Sequence, residues 1–206
     1  MHDFTEYMKL DPLFRKNAHY MMTFSMEYAY SENYILVLSH DEVVHLKCSM
    51  LNKMPGLGFD KFANLKAAYA FMIGHPGKKL LFMGQDFAQL REWSEERELD
   101  WFLLAEQPHQ QIQNWVQELL HLYRKNKALY EMDTDEKGFE WINKDDIFRS
   151  IFSFVRYSKD RKRNLLFVCN FTPMEREDYR VGVPRGKQYK LILNSDDERY
   201  GGTGGE

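Results

Sequence analysis

Four consecutive polar residues, Ser39, His40, Asp41 and Glu42, bring a hydroxyl, an imidazole and two carboxyl groups together in one short stretch. They follow an apolar run at 34–38, whose length is typical of a short strand buried on both faces of a parallel sheet. Parallel sheets bind their ligands at the carboxyl ends of the strands. The four side chains therefore lie where binding and catalysis are expected.

The same residues also fit two other roles. Ser39 and Glu42 have the spacing of a capping box, in which Ser39 accepts a hydrogen bond from the Glu42 amide and Glu42 reaches back to the helix start. A cap leaves His40 and Asp41 unexplained. A metal site of His40, Asp41 and His45 is a weaker alternative, because zinc-binding helices place their histidines four residues apart, not five. We expect no metal and no cofactor.

Nine segments around the tetrad follow one another in an order known from other sequences. They are Met-His-Asp (1–3), Ser-Glu-Asn (31–33), Ser-His-Asp-Glu-Val-Val-His (39–45), Lys-Met-Pro-Gly (53–56), Lys-Phe-Ala-Asn-Leu (61–65), His-Pro-Gly-Lys-Lys-Leu-Leu-Phe-Met-Gly (75–84), Phe-Glu-Trp-Ile (139–142), Asn-Phe-Thr-Pro (170–173) and Gly-Val-Pro (182–184). Through them the chain resembles the bacterial 1,4-alpha-glucan (glycogen) branching enzymes of the alpha-amylase superfamily. The last two segments favour this family over related hydrolases and trehalose-forming enzymes.

The resemblance implies a retaining double displacement on alpha-glucan in a (β/α)8 barrel, with transfer of the cleaved chain to a 6-hydroxyl. Such chemistry needs a carboxylate nucleophile and an acid/base carboxyl roughly 5 Å apart. Asp41 would be a third acid, which stabilises the transition state, and His40 would bind sugar hydroxyls. Glu42, Asp86 and Trp93 are further candidates for substrate binding.

The resemblance also places the nucleophile and the acid/base on earlier barrel strands, ahead of the Met-His-Asp segment. We therefore expect that the chain alone neither cleaves nor branches glucan. The sequence departs from the family at three positions: Leu46 and Cys48 stand where glycines usually flank the lysine, and Asp86 stands for a glutamate. Because glycine adopts positive φ far more readily than other residues, we expect a rearranged loop after His45.

Hydrophobic spacing predicts the elements that position the tetrad. Apolar residues three and four apart predict a helix over 60–73, between the strand at 34–38 and a second strand at 80–83. A strand, a helix and a strand in this order predict a parallel pair with a right-handed crossover. A long amphipathic helix is predicted at 110–129. A further helix within 18–30 is indicated by three rings at four-residue spacing, which we expect to pack in the core: Tyr20, Phe24 and Tyr28.

The composition changes after Met132. Alternating runs separated by Asp, Asn, Gly and Pro predict antiparallel strands at 139–142, 148–157, 165–171, 179–183 and 189–193. The predicted fold class is therefore α/β plus all-β. Residues 1–132 would hold the last strand–helix units of the barrel, and residues 133–206 the start of a C-terminal antiparallel β-sandwich, with a linker at 133–137. The tail at 200–206 lacks core-forming residues and is expected to be mobile.

Composition and charge narrow the class of protein. The 206 residues are 44% hydrophobic and 15% aromatic, which is enough to bury a sizeable core. The net charge of −3 excludes the basic patch that nucleic acids require, and no apolar run is long enough to span a membrane. Cys48 and Cys169 lie far apart, which favours free thiols in the cytoplasm. The expected partner is alpha-glucan, and open barrel edges favour self-association.

The sequence is compatible with two classes of function. The first is part of a branching enzyme that carries one of three catalytic acids. The second is a non-catalytic glucan-binding or assembly module, in which the aromatic residues and the β domain bind polymer without chemistry. A reading frame that continues upstream with the nucleophile and the acid/base would favour the first.

Overall fold

The computed structural model describes residues 2–184 and 188–205. This part of the chain forms two sheets, β1–β2 and β3–β4–β5, joined by helices and short 3₁₀ turns. The helices are α1 (His2–Lys9), α2 (Tyr20–Thr23), α3 (Met50–Lys53), α4 (Phe59–Gly74) and α5 (Gln107–Lys125). The strands are β1 (Ile35–Leu38), β2 (Lys78–Leu81), β3 (Phe139–Asp146), β4 (Ile151–Arg156) and β5 (Leu165–Asn170).

Strands β1 and β2 pair in parallel, as predicted, with α4 between them in the chain. Ile35 lies opposite Lys78 and Leu38 opposite Leu81, so β2 begins two residues before the predicted strand. The Phe82 N–H extends the ladder to the Leu38 carbonyl oxygen at 3.0 Å. The carboxyl ends of both strands therefore lie at one edge of the sheet.

The prediction that the first strand is buried on both faces is wrong. Leu38 is fully buried, but Ile35 is 55% exposed. Each strand of this two-stranded sheet has one neighbour among the described residues. Its other edge is unpaired, which leaves the start of the strand in contact with solvent.

Helix α4 confirms the predicted helix and packs directly on the second sheet. Its buried face contains Leu65, Tyr69, Met72 and Ile73. A Cβ built on Gly74 would lie 2.8 Å from the Phe167 ring and 2.9 Å from the Phe154 ring. A glycine at this position therefore allows the helix backbone to approach the two rings.

The second sheet is antiparallel, and three of the five predicted β runs form it. Every residue of the central strand β4 is buried. The Phe154 ring is stacked between the rings of Phe139, at 5.2 Å, and Phe167, at 5.0 Å. The Phe71 ring of α4 packs edge-on against the Phe154 ring, with the centroids 5.8 Å apart, so aromatic contacts join the sheet to α4.

The strands predicted at 179–183 and 189–193 are not formed. Side-chain contacts fix the first of these segments instead. The Tyr179 hydroxyl donates to Asp146 Oδ2 at 2.8 Å, and burial together with this bond raises the pKa of Tyr179 to about 12. Alternation alone therefore overestimated the number of strands.

The glycine-rich tail is anchored, and the prediction that it is mobile is wrong for its described residues. Tyr200 is buried, and its ring lies 4.9 Å from the Trp115 ring of α5. The buried Lys66 ammonium donates to the carbonyl oxygens of Ser195 and Tyr200, both at 2.8 Å. Glu206 lies outside the described residues. A lysine of α4 thus holds the tail through backbone contacts.

Residues 18–30 form short α and 3₁₀ turns in place of one helix. The rings predicted to pack in the core are exposed: Tyr20 by 62%, Phe24 by 51% and Tyr28 by 40%. Met22 is the buried hydrophobic side chain of the α turn. The helix type changes to 3₁₀ at Phe24, so the residues after it do not keep the α-helical spacing on which the prediction depended.

Asp133 joins elements from both predicted domains. This buried carboxylate lies 2.7 Å from Arg156 Nη2 and 3.2 Å from Lys78 Nζ. The Arg156 guanidinium also donates to the carbonyl oxygens of Gly74, at 2.7 Å, and Gly138, at 3.3 Å. One continuous core runs from α1 to β5, so the start of the predicted linker is a packed part of the fold. The domain boundary near residue 133 stays a prediction.

Both cysteines are free, as expected; Cys48 is exposed and Cys169 is buried. Burial raises the pKa of the Cys169 thiol to about 12, which keeps it protonated and unreactive at neutral pH. None of the described helices combines the length and the apolar character needed to cross a membrane.

Lowering the pH from 7 to 5 is expected to destabilise the protein through His75. The ring lies between Ser25 Oγ, 2.8 Å from Nε2, and the Pro76 carbonyl oxygen, 2.9 Å from Nδ1. Burial, assisted by the positive charges of Lys79 and Arg156, lowers its pKa to about 3. Because the unfolded ring binds a proton near pH 6.5, the free energy of unfolding falls as the pH drops from 6.5 toward 3. The loss at pH 5 is about 2 kcal/mol.

Denaturant unfolding at pH 7 and pH 5 measures this effect. His75→Gln has no imidazole to titrate, so its free energy of unfolding should change by about 2 kcal/mol less between the two pH values than that of the wild type. His121, whose side chain is 46% exposed, provides the matched control His121→Gln, which should behave as the wild type. An identical pH dependence in His75→Gln and the wild type would contradict the prediction.

Candidate functional site

The chain turns sharply where β1 ends, through a single 3₁₀ turn at His40–Glu42. Ser39 Oγ accepts a hydrogen bond from the Asp41 N–H at 3.3 Å, while the Glu42 N–H bonds to the Ser39 carbonyl oxygen at 3.2 Å. The predicted alternative of a Ser39–Glu42 capping box is therefore wrong. Capping occurs one residue earlier in a tighter turn.

Asp41 and His40 form an exposed pair at the carboxyl end of β1. His40 Nε2 lies 3.2 Å from Asp41 Oδ1, and the two side chains are 54% and 72% exposed. The Ser39 hydroxyl also donates to Asp41 Oδ2 at 3.4 Å. A carboxylate has about four acceptor positions, so Asp41 retains capacity for hydroxyl donors from outside the protein.

Three rings, those of His40, Phe82 and Trp93, form an aromatic wall beside Asp41. The Phe82 and Trp93 centroids are 5.1 Å apart with the rings nearly perpendicular, and His40 lies 5.8 Å from Phe82 and 6.5 Å from Trp93. The backbone N–H of Trp93 donates to the Val43 carbonyl oxygen at 3.0 Å, which fixes the wall to the turn. Such a surface offers apolar ring faces next to a hydrogen-bonding carboxylate.

The other two candidates have different surroundings. The Glu42 side chain is 16% exposed, and its Oε1 lies 3.8 Å from His2 Nδ1, so Glu42 points toward α1. Asp86 lies in the 3₁₀ turn Gln85–Phe87 after β2, at the same sheet edge as the Asp41 turn. Burial, together with the nearby charge of Asp86, raises the pKa of Tyr69. The structure thus groups His40, Asp41 and Trp93 and places Glu42 with α1.

Sequence reasoning missed Gln85, which holds the two strand ends together. Its side chain is buried, and Nε2 donates to the Leu38 carbonyl oxygen at 3.0 Å. Its backbone carbonyl oxygen accepts a hydrogen bond from the Tyr69 hydroxyl of α4 at 2.9 Å. The sequence did contain an indication that Gln85 belongs to the site, because this residue directly follows the matched segment at 75–84.

The loop after Val44 adopts the glycine-like conformation that we expected it to lose. His45, Leu46 and Cys48 have φ values of 53°, 68° and 65°. A residue with a Cβ pays about 1–2 kcal/mol in the left-handed region, so three such residues store strain in one loop. The expectation that the side chains at 46 and 48 exclude positive φ is therefore wrong. Contacts elsewhere in the fold must hold this loop.

Glu92 makes the main such contact, and sequence reasoning missed it. Its Oε2 accepts a hydrogen bond from the Leu46 N–H at 3.1 Å, and its Oε1 accepts one from the Cys48 N–H at 2.6 Å. Both hydrogen bonds lower the pKa of Glu92, and the bond from the Cys48 N–H has the larger effect. The partners are 44 and 46 residues apart in the chain, and no local pattern predicts such a pair.

Comparison with protein-family models first identifies the type of domain at the C-terminal end of the chain. Residues 141–206 match the family model of the alpha amylase C-terminal all-beta domain. The match contains β4, β5 and most of β3, and it agrees with the predicted change to antiparallel structure. Residues 141–206 thus resemble the C-terminal all-beta domain of alpha amylases.

Comparison with individual proteins then identifies the family that the chain resembles. The chain is 63% identical over 99% of its length to a 1,4-alpha-glucan branching enzyme from Butyrivibrio fibrisolvens, of which it covers 32%. It is 52% identical over 99% of its length to the branching enzymes of Halothermothrix orenii and Roseobacter denitrificans, of which it covers 32% and 28%. The chain therefore spans about a third of the length of these relatives, and its resemblance to 1,4-alpha-glucan branching enzymes is confirmed.

Proposed function

We propose that these 206 residues form part of a 1,4-alpha-glucan branching enzyme, which cleaves alpha-1,4 links and transfers the chain to a 6-hydroxyl to make alpha-1,6 branches. The main observation is the exposed His40–Asp41 pair at the carboxyl end of β1, next to an aromatic wall. It occurs in a chain that is 63% identical to a protein of that name. The free cysteines favour a cytoplasmic location.

In the proposed reaction Asp41 acts on the transition state. Charge develops at the sugar ring as the glycosidic bond breaks, and hydrogen bonds from ring hydroxyls to a carboxylate strengthen at that moment. His40, 3.2 Å away, holds a neighbouring hydroxyl and orients the carboxylate. Trp93 and Phe82 offer their ring faces to the sugar. The nucleophile and the acid/base come from sequence outside these 206 residues, so the chain alone would be inactive.

The small parallel sheet supports the proposal that residues 1–132 belong to a (β/α)8 barrel. Parallel sheets occur almost entirely as larger sheets covered on both faces. Here β1 and β2 leave Ile35 and Leu80 exposed by 55% and 37%, which suits strands that have further neighbours in a longer protein. Without those neighbours the open edges favour self-association.

A second candidate is a glucan-binding module without chemistry. The observation in its favour is the exposed row of Tyr20, Phe24 and Tyr28, in which the last two rings lie 5.7 Å apart. Exposed aromatic rings stack on sugar faces through apolar contact. In this case the isolated chain would bind glucan, and the Asp41 carboxylate would have no role.

A chimera distinguishes the two. These 206 residues replace the matching third of the Butyrivibrio fibrisolvens branching enzyme, and branching of amylose is followed by the iodine absorbance and by debranching of the product. We expect an active chimera and no turnover by the 206-residue chain. An inactive but folded chimera, or an isolated chain that branches amylose, would contradict the proposed function.

A further inference from the structure

The strained loop His45–Cys48 contacts the turn that carries Asp41. The loop residue Lys47 donates from Nζ to the Asp41 carbonyl oxygen at 2.8 Å. Lys53 Nζ donates in turn to the Lys47 carbonyl oxygen. The position of the Asp41 backbone is thus coupled to the conformation of the loop.

Hydrogen bonds hold the loop, among them that from the Lys47 N–H to the Val44 carbonyl oxygen at 3.3 Å. Leu46 is 95% exposed, so its side chain gains no packing energy in the left-handed conformation. Its N–H and that of Cys48 both point at one carboxylate, Glu92, at 3.1 Å and 2.6 Å. A carboxylate is an acceptor at both oxygens, which suits two adjacent N–H donors.

Glu92 is itself held close to the site. Its neighbour Trp93 belongs to the aromatic wall and donates its backbone N–H to the Val43 carbonyl oxygen at 3.0 Å. Arg97 Nη2 donates to the Glu92 carbonyl oxygen at 2.6 Å. The Glu92–Trp93 segment therefore contacts both the turn before the loop and the loop itself.

We propose that Glu92 is a positioning residue for Asp41: its carboxylate fixes the loop His45–Cys48 in the left-handed conformation that places Lys47 on the Asp41 carbonyl oxygen. The inference rests on the proposed function, because it gives Asp41 a catalytic role. A glutamine at 92 retains one oxygen but presents a donor NH2 group to the second N–H. One bond of the pair is then lost, and the loop relaxes.

The test uses the chimera described above. Glu92→Gln should reduce kcat by about ten- to a hundredfold with KM within twofold, because a small displacement of a catalytic group affects the transition state more than binding. Adding Leu46→Gly and Cys48→Gly to Glu92→Gln should restore most of the lost kcat, since glycine adopts positive φ without support. Glu95→Gln, an exposed acid of the same segment, is the matched control and should leave kcat unchanged.

Amide hydrogen exchange on the 206-residue chain provides a readout that is independent of activity. The Leu46 and Cys48 amides should exchange at least tenfold faster in Glu92→Gln than in the wild type. An unchanged kcat in Glu92→Gln, a loss that the glycines do not restore, or unchanged exchange would each overturn the positioning role. An inactive parental chimera would instead overturn the proposed function, and the exchange data would still decide whether Glu92 holds the loop.

Discussion

Replacing Asp41 by asparagine in the chimera is expected to lower the branching kcat by about 10³-fold, equivalent to about 4 kcal/mol of transition-state stabilisation. The amide has nearly the same shape but no negative charge to oppose the developing positive charge at the sugar. Because the Asp41 side chain is 72% exposed, the free energy of unfolding should change by less than about 0.5 kcal/mol.

Kinetics and denaturant unfolding of the same preparation separate the two effects. The control is Glu95→Gln, which removes one exposed negative charge outside the aromatic wall. A comparable loss of kcat in the control would assign the effect to net charge. Retention of more than a tenth of the parental kcat in Asp41→Asn would remove Asp41 from the catalytic machinery and favour the glucan-binding alternative.

Replacing Asp133 by alanine is expected to lower the free energy of unfolding by about 3–5 kcal/mol. The Arg156 side chain is fully buried, and Asp133 is its ion-pair partner at 2.7 Å. Its remaining partners, the carbonyl oxygens of Gly74 and Gly138, carry no net charge. The substitution therefore leaves a guanidinium buried without a compensating anion.

Lys78→Met is the matched control, because it removes the other partner of the same carboxylate. Lys78 is 59% exposed, so solvent screens its charge and the loss should stay below about 1 kcal/mol. Urea unfolding of the 206-residue chain measures both variants. Equal losses in Asp133→Ala and Lys78→Met would mean that the buried Asp133–Arg156 pair contributes no more to stability than the exposed contact with Lys78.

The parts of the fold that sequence predicts best are those set by local patterns. The apolar runs around 34–38 and 80–83 give a parallel pair because α4 separates them by one crossover. Three runs of alternating residues form β3, β4 and β5, because alternation is a local pattern of antiparallel strands. The exposure of Asp41 also follows from its place directly after a strand.

The errors concern residues whose environment depends on distant parts of the chain. Tyr200 is buried because its ring packs on Trp115 and its carbonyl oxygen accepts a hydrogen bond from Lys66. These partners are 85 and 134 residues away in the chain. Leu46 adopts positive φ because a carboxylate 46 residues later accepts its N–H. No window of local sequence contains these partners.

The close approach of Gly74 to the rings of Phe154 and Phe167 limits the routes along which this sequence can evolve. Any side chain at position 74 would have to displace one of two stacked rings, so the three positions cannot vary independently. A smaller residue at 154 or 167 must come first, at a cost in stability, before alanine at 74 becomes tolerable. Lineages that keep both phenylalanines are therefore expected to keep the glycine as well.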